Sequence, residues 1–263
     1  MHRRPKALTR VIDEGRHPVG TWVQMDSPET CELAAAAGFD FVLIDMEHGT
    51  FDVTSMAGMI RAVQAGGSTP AVRVPVNETS IIKRTLDAGA AIVVVPGITS
   101  VDDARRAIAA TRYEPLGTRG SCPVSRSTDH GLRPWDEVVR EAHEEVAVWL
   151  LVEHPGAVDA IDEILALAPD GIMLGPFDLS MSMGLRGESA HPDVRAALGA
   201  VVRAASAAGV DSVAVTVDDN PLGGAAAAGS WYEEGCTMST VLIDRLTLAA
   251  AYRAALTAIR NTH

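Results

Sequence analysis

The sequence predicts a (β/α)8 barrel, a TIM barrel, on three observations. Eight apolar, mostly β-branched runs recur along 263 residues. The segments between most of them carry apolar residues at spacings of three and four, which is the helical period. Several runs are apolar without alternation, as in Ile92-Val93-Val94-Val95, and such strands are buried on both faces. Strands that alternate with helices pair in parallel through crossovers, and eight such units in one domain close into a barrel whose chemistry sits at the C-terminal strand ends. The rival doubly wound sheet finds no GxGxxG element opening a helix after the first strand.

In chain order the strand candidates are residues 19–25, 39–46, 70–75, 92–98, 146–152, 171–174, 210–217 and 236–243. Helical faces lie between them, such as Ile82, Leu86 and Ala90, or Ala157, Ile161, Ile164 and Leu165. Residues 114–135 break the rhythm. Rich in Gly, Ser, Pro and Arg, they are too long for an ordinary connection, so a functional lid or binding loop is expected there, with an ordered surface loop as the plainer alternative. The small-residue run 225–229 fits a short helix packed close on the barrel. At the end, Leu246, Leu248, Ala249, Tyr252, Leu256 and Ile259 approach helical spacing, which suits a helix docked on its own barrel or one exchanged between subunits.

Composition bounds the function. Residues 1–263 are read as one barrel domain, because 47% hydrophobic residues can bury a large core and barrels of this length are ordinary. A formal net charge of -12 excludes a nucleic-acid or anionic-membrane surface, and the expected partner is a small molecule. No apolar run approaches the roughly 18 residues of a membrane span, and the basic start is followed by no apolar signal region, so a cytoplasmic protein is expected. Cys31, Cys122 and Cys236 have neither zinc-site nor disulfide spacing.

The chemistry lies where strands end. Asp170 to Leu174 runs into Gly175-Pro176-Phe177-Asp178-Leu179-Ser180, placing a carboxylate straight after a buried strand, and one strand earlier Val148 to Val152 runs into Glu153. Glu153 and Asp178 therefore offer two hard oxygen ligands to a divalent cation. After the second strand, Asp45, Glu47 and His48 crowd four positions; Asp45 and Glu47 share a face by period two, and a carboxylate beside a histidine can make a general acid or base. A solvated turn is the plainer alternative. Arg73, inside the third apolar strand, must find an anion, whether substrate or a structural partner.

These residues stand in a longer pattern: Gly20-Thr21-Trp22, Gly38-Phe39-Asp40, Asp45-Met46-Glu47-His48, Val72-Arg73-Val74-Pro75, Lys83 with Leu86-Asp87-Ala88-Gly89-Ala90, Val95-Pro96, Gly117-Thr118-Arg119-Gly120, Glu153, and Gly175-Pro176-Phe177-Asp178-Leu179-Ser180. In this order they resemble the HpcH/HpaI aldolase/citrate lyase family, the metal-dependent class II pyruvate aldolases. The resemblance implies a barrel of the phosphoenolpyruvate/pyruvate type with a domain-swapped last helix, assembled as a homohexamer, a trimer of dimers. It also implies a divalent metal ion, Mg, Mn or Co, held by Glu153 and Asp178.

The implied reaction adds the enolate of a pyruvate-like 2-oxo acid to an aldehyde, reversibly, with retro-aldol cleavage of 4-hydroxy-2-oxo acids. Arg73 matches the arginine that steadies the 2-oxo oxygen, His48 oriented by Asp45 matches the acid/base dyad, and Glu47 orders a metal-bound water. Phe177, Gly175 and Pro176 match the substrate-binding turn, and Arg119 matches either an acceptor contact or a structural ion pair. Leu151 and His154 replace the Gln and Thr that relatives often carry, which implies an altered outer shell; Glu114-Pro115 and 121–126 also depart from the pattern. Phe177 replaces smaller residues and narrows the site, pointing to a specialised acceptor. Two alternatives stand beside the aldolase: an acyl-CoA ester lyase of the citrate-lyase branch, and a metabolite-binding barrel without turnover.

Overall fold

The computed structural model describes residues 3–218 and 221–261. Eight parallel strands close into one barrel in chain order: β1 Val19–Val23, β2 Phe41–Asp45, β3 Thr69–Arg73, β4 Ile92–Val95, β5 Ala147–Val152, β6 Gly171–Leu174, β7 Asp211–Val215 and β8 Met238–Ile243. Every predicted run overlaps one of them, and only β3 begins outside its run, one residue early at Thr69. The paired segments stop short of several predicted ends, since Gln24, Met25, Val74 and Val217 lie beyond the ladder, where the chain leaves the barrel.

Period two sorts the side chains. In β2 to β5, Phe41, Leu43, Ile92, Val94, Trp149 and Leu151 fill the barrel, while Val42, Ile44, Val93, Val95, Val148 and Leu150 lie under the outer helices. Phe41 meets Trp149 edge to face, centroids 5.4 Å apart. The same parity carried one step further aims Asp45, Arg73 and Glu153 toward the barrel axis, at the C-terminal end. The opposite end is closed by the N-terminal helix Lys6–Asp13, whose Leu8 and Ile12 pack on the interior cluster, and by Arg4, which grips Asp211 at 2.7 and 2.6 Å.

Residues 114–135 do not reach the acceptor side. They follow the helix Val101–Ala110, which has already carried the chain back to the N-terminal end of the barrel, and they stay there. Thr118 N–H donates to Ala109 O, and Arg126 donates to Ala88 O at 2.9 Å and to Gln64. The segment contains a 3-10 turn, Arg126–Gly131, and the helix Trp135–Glu144 follows it into β5. The expected lid is thus a brace beneath β4 and β5.

The last helix, Asp244–Arg260, has no buried residue. Leu248, Tyr252, Leu256 and Ile259 are all exposed on it, so it is not docked along this barrel. Among the described residues no helix is long and apolar enough to cross a membrane.

Candidate active site

A cavity of about 540 Å³ opens at the C-terminal strand ends, lined by His48, Arg73, Glu153, Gly175, Pro176, Phe177 and Asp178 together with Trp22, Gln24, Leu151, Ser189, Val215, Val217 and Ile243. The structure therefore brings together seven of the sequence-predicted residues. Asp45 and Glu47 stand directly behind them, on Arg73.

Arg73 is 6% exposed and is built into a cage. Its Nε and Nη2 donate to Asp45 Oδ1 and Oδ2 at 2.8 and 2.7 Å, its Nη1 lies 2.9 Å from Glu47 Oε2, and its guanidinium carbon is 4.7 Å from the Trp22 ring centroid. Gln24 Nε2 donates to Asp45 Oδ2 at 2.8 Å. Burial opposes charge on Asp45, but the Arg73 fork and Gln24 outweigh it and hold the carboxyl below its usual range. On Arg73 burial also opposes charge, and Asp45, Glu47 and Glu153 outweigh it, so its pKa is raised. Glu47 moves the other way: burial dominates and raises it. Its Oε2 is paired by charge with Arg73 Nη1 but makes no aligned hydrogen bond there.

Glu153, one residue past β5, accepts a hydrogen bond from Gly97 N–H on Oε1 at 3.2 Å. Burial, with the Glu47 and Asp178 carboxylates nearby, pushes it up to about 7. Its side chain is laid against Gly175, where an added Cβ would fall 2.6 Å from Glu153 Cβ, so the turn after β6 needs glycine. The helix Pro176–Ser182 follows at once. Proline takes the first position, and the first intrahelical bond is Leu179 N–H to Gly175 O at 3.0 Å, leaving the N–H groups of Phe177 and Asp178 without intrahelical partners.

Three of these residues find partners within the chain. Asp45 spends its oxygens on Arg73, Gln24 and the backbone N–H groups of Glu47 (3.1 Å) and His48 (3.4 Å), so it fixes the backbone of His48 and not the imidazole. His48 itself lines the cavity wall. Arg119 is not at the mouth: it pairs with Asp87 at 3.0 Å and stacks on Tyr113 at 4.4 Å, lining a separate cavity at the N-terminal ends of β4 and β5. Within this chain it forms the ion pair with Asp87, in the segment that returns below the barrel. His154 Nδ1 accepts Gly156 N–H at 3.0 Å, capping the helix Pro155–Asp159.

Sequence reasoning missed Gln24, Val215, Val217, Ile243 and Ser189. Gln24 left a signal, for it is the polar residue that continues the inward parity of Trp22 past β1. The apolar residues left none, because a core residue and a cavity wall are written alike.

The fold and site define a closed α/β barrel whose C-terminal strand ends gather carboxylates, Asp45 alone of them buried, around one caged arginine. The sequence profile described as HpcH/HpaI aldolase/citrate lyase matches residues 19–234, and the chain belongs to that family. It is 33% identical over 245 residues to the 2-dehydro-3,6-dideoxy-6-sulfogluconate aldolase of Pseudomonas putida, covering 93% of each. It is 38% identical over 178 residues to a 5-keto-4-deoxy-D-glucarate aldolase of Salmonella arizonae, covering 67% of this chain and 69% of that one. An HpcH/HpaI aldolase/citrate lyase family protein from Burkholderia cenocepacia superposes with a TM-score of 0.88 at 35% identity, over 97% and 99% of the two chains.

Proposed function

We propose that the chain is a divalent-metal-dependent aldolase, which joins a pyruvate-like 2-oxo acid to an aldehyde and cleaves 4-hydroxy-2-oxo acids in reverse. The observation that carries this reading is the placement of Glu153 and Asp178 on one cavity wall of a lyase-family barrel. Burial and the neighbouring carboxylates Glu47 and Asp178 raise Glu153, and a cation relieves that repulsion.

The donor set fits Mg, Mn or Co. No cluster of three His, Cys, Asp or Glu ligands occurs among the described residues, so Glu153 and Asp178 would supply two oxygens, and water and substrate the rest, as small hard cations prefer. Glu153 has Oε1 held by Gly97, which leaves Oε2 for the ion. Glu47, half-buried beside Arg73, would order a water in the outer shell. When bound, the cation supplies Lewis-acid stabilisation of charge developing on the 2-oxo group as C3 loses a proton.

The chain's own groups do the remaining work. The N–H groups of Phe177 and Asp178 receive the substrate carboxylate. Arg73, with Nε and Nη2 committed to Asp45 and Nη1 beside Glu47, presents its guanidinium on the cavity wall and steadies the negative charge of the 2-oxo oxygen. His48, on the cavity wall, gives or takes the proton at the acceptor's carbonyl oxygen. The wholly unburied last helix supports an assembly in which it packs on a neighbour, in a homohexamer of three dimers, and a cytoplasmic location suits small-molecule chemistry of this kind.

The test is solvent deuterium entering C3 of pyruvate, followed by NMR, with EDTA-stripped protein and added Mg, Mn or Co, beside Asp178→Ala. Metal-dependent exchange that the variant loses is the expected result. Exchange absent with every metal would overturn the reading.

A further inference from the structure

Strand β1 and the residue after it supply two uncharged side chains to the cavity, Trp22 and Gln24, and both bear on Arg73. The Trp22 ring faces the guanidinium carbon at 4.7 Å, and its Nε1 donates to Thr240 Oγ1 on β8 at 2.8 Å, which fixes the ring. Gln24 acts one step removed. Its Nε2 donates to Asp45 Oδ2, the oxygen that also accepts Arg73 Nη2. Asp45 is wholly buried and paired with Arg73, so it is a carboxylate that can only accept, and the NH2 end of the amide must face it.

The place of Gln24 is itself built. Pairing of β1 with β8 slips between Gly20, opposite Thr240, and Trp22, opposite Ile243. A slip of this kind bends a strand and re-aims the side chains beyond it. Past the slip, Gln24 N–H donates to both oxygens of Asp244 at 3.0 and 3.1 Å, and Met25 N–H to one of them at 2.9 Å. A chain of hydrogen bonds therefore runs from Asp244 after β8 through Gln24 and Asp45 to Arg73 on β3. Oδ1 of Asp45 takes Arg73 Nε and two backbone N–H groups, whereas among the described residues Oδ2 takes Arg73 Nη2 and Gln24 Nε2 alone. Without Gln24, carboxylate and guanidinium are free to turn together about the Asp45 side chain.

Resting on the aldolase reading above, we propose that Gln24 is a positioning residue of the reaction, which pins Asp45 Oδ2 and so fixes the plane of the Arg73 guanidinium against the 2-oxo oxygen. It touches no reacting atom in this role. Arg73 meets charge that grows as C3 loses its proton, so misplacing it lowers kcat more than it raises KM.

The experiment follows pyruvate C3 exchange in the full enzyme saturated with Mn, for wild type, Gln24→Met and Gln24→Glu. Gln24→Met keeps the length and loses the donor; it should lower kcat about tenfold or more at pH 8, with KM for pyruvate within about twofold. Gln24→Glu keeps the shape and can donate to Asp45 only while its new carboxyl is protonated. Asp45 and Asp244 are bonded to residue 24, and His48, Arg73, Glu153 and Asp178 share its cavity, so the acids around it favour that protonated form. Gln24→Glu should match Gln24→Met at pH 8, and its kcat relative to wild type should recover as pH falls to 5.5, a rise that Gln24→Met lacks and that a merely structural role would not produce. Wild-type kcat in either folded variant at pH 8, a loss confined to KM, or a Gln24→Glu ratio that pH does not change would overturn the proposal. Circular dichroism establishes folding, and should Gln24→Met not fold, the pH response of Gln24→Glu decides. Exchange in the wild type with both variants unaffected defeats this inference alone; no exchange in the wild type defeats the aldolase reading beneath it.

Discussion

Arg73 and Asp45 occupy paired positions on neighbouring strands, and their side chains meet as a two-toothed ion pair with Nε and Nη2 at 2.8 and 2.7 Å from the two carboxylate oxygens. Asp45 is wholly buried. Its value is therefore felt when one partner is lost, because the other is left as an uncompensated charge in the barrel, at a cost of about 3–5 kcal/mol. Asp45→Ala should lower the unfolding free energy measured in urea by that amount and reduce kcat a hundredfold or more, since Arg73 then swings from the place it must hold. A variant as stable as the wild type would show the pair to be dispensable.

Glu153 gives a pH prediction with a definite sign. Burial and its carboxylate neighbours raise it to about 7 from an ordinary 4.5, so between those values the folded protein holds a proton that the unfolded chain has released. That contribution to stability is complete below the unfolded value and is lost as pH rises through the folded one, on the order of 2 kcal/mol once water in the mouth screens it. EDTA-treated protein should lose thermal stability from pH 5 to 8 more steeply than Glu153→Gln, and Mn should restore it most at pH 8, where the ionised carboxylate binds the cation. Identical slopes in the two proteins would remove Glu153 from this role.

Arg119 should matter to the fold alone. It pairs with Asp87 and covers Tyr113 below the barrel, so Arg119→Ala is expected to cost about 1–3 kcal/mol in chemical denaturation through the unpaired Asp87 and the lost ring contact. Aldol kcat/KM should stay within about twofold. A tenfold loss in the folded variant would contradict the placement.

Leu248, Tyr252 and Leu256 recur at every fourth position of the last helix and are 39%, 62% and 51% exposed. One apolar stripe facing water marks a surface that a neighbour covers. The double variant Leu248→Glu, Tyr252→Glu should shift the mass in light scattering to a smaller species. An unchanged mass would show that the stripe is not an interface.

What the sequence by itself determined was the barrel and the acid-bearing strand ends. Parallel strands buried on both faces cannot be written except as apolar runs, and a carboxylate at the end of such a run, as at Asp45 and Glu153, conflicts with burial visibly enough to be read from one line of residues. The position of 114–135 was legible too, since a segment after a helix must lie at the opposite end of the barrel from the mouth; its composition drew attention to the wrong end. Only the tertiary structure decided the partners. Whether Asp45 holds the His48 ring or Arg73, whether Arg119 meets substrate or Asp87, and whether Val217 belongs to the core or to a cavity wall all depend on distances between residues far apart in the chain. Electrostatic and packing contacts act over a few ångströms in space, and residue order does not encode which of several equally charged or equally apolar neighbours closes that gap.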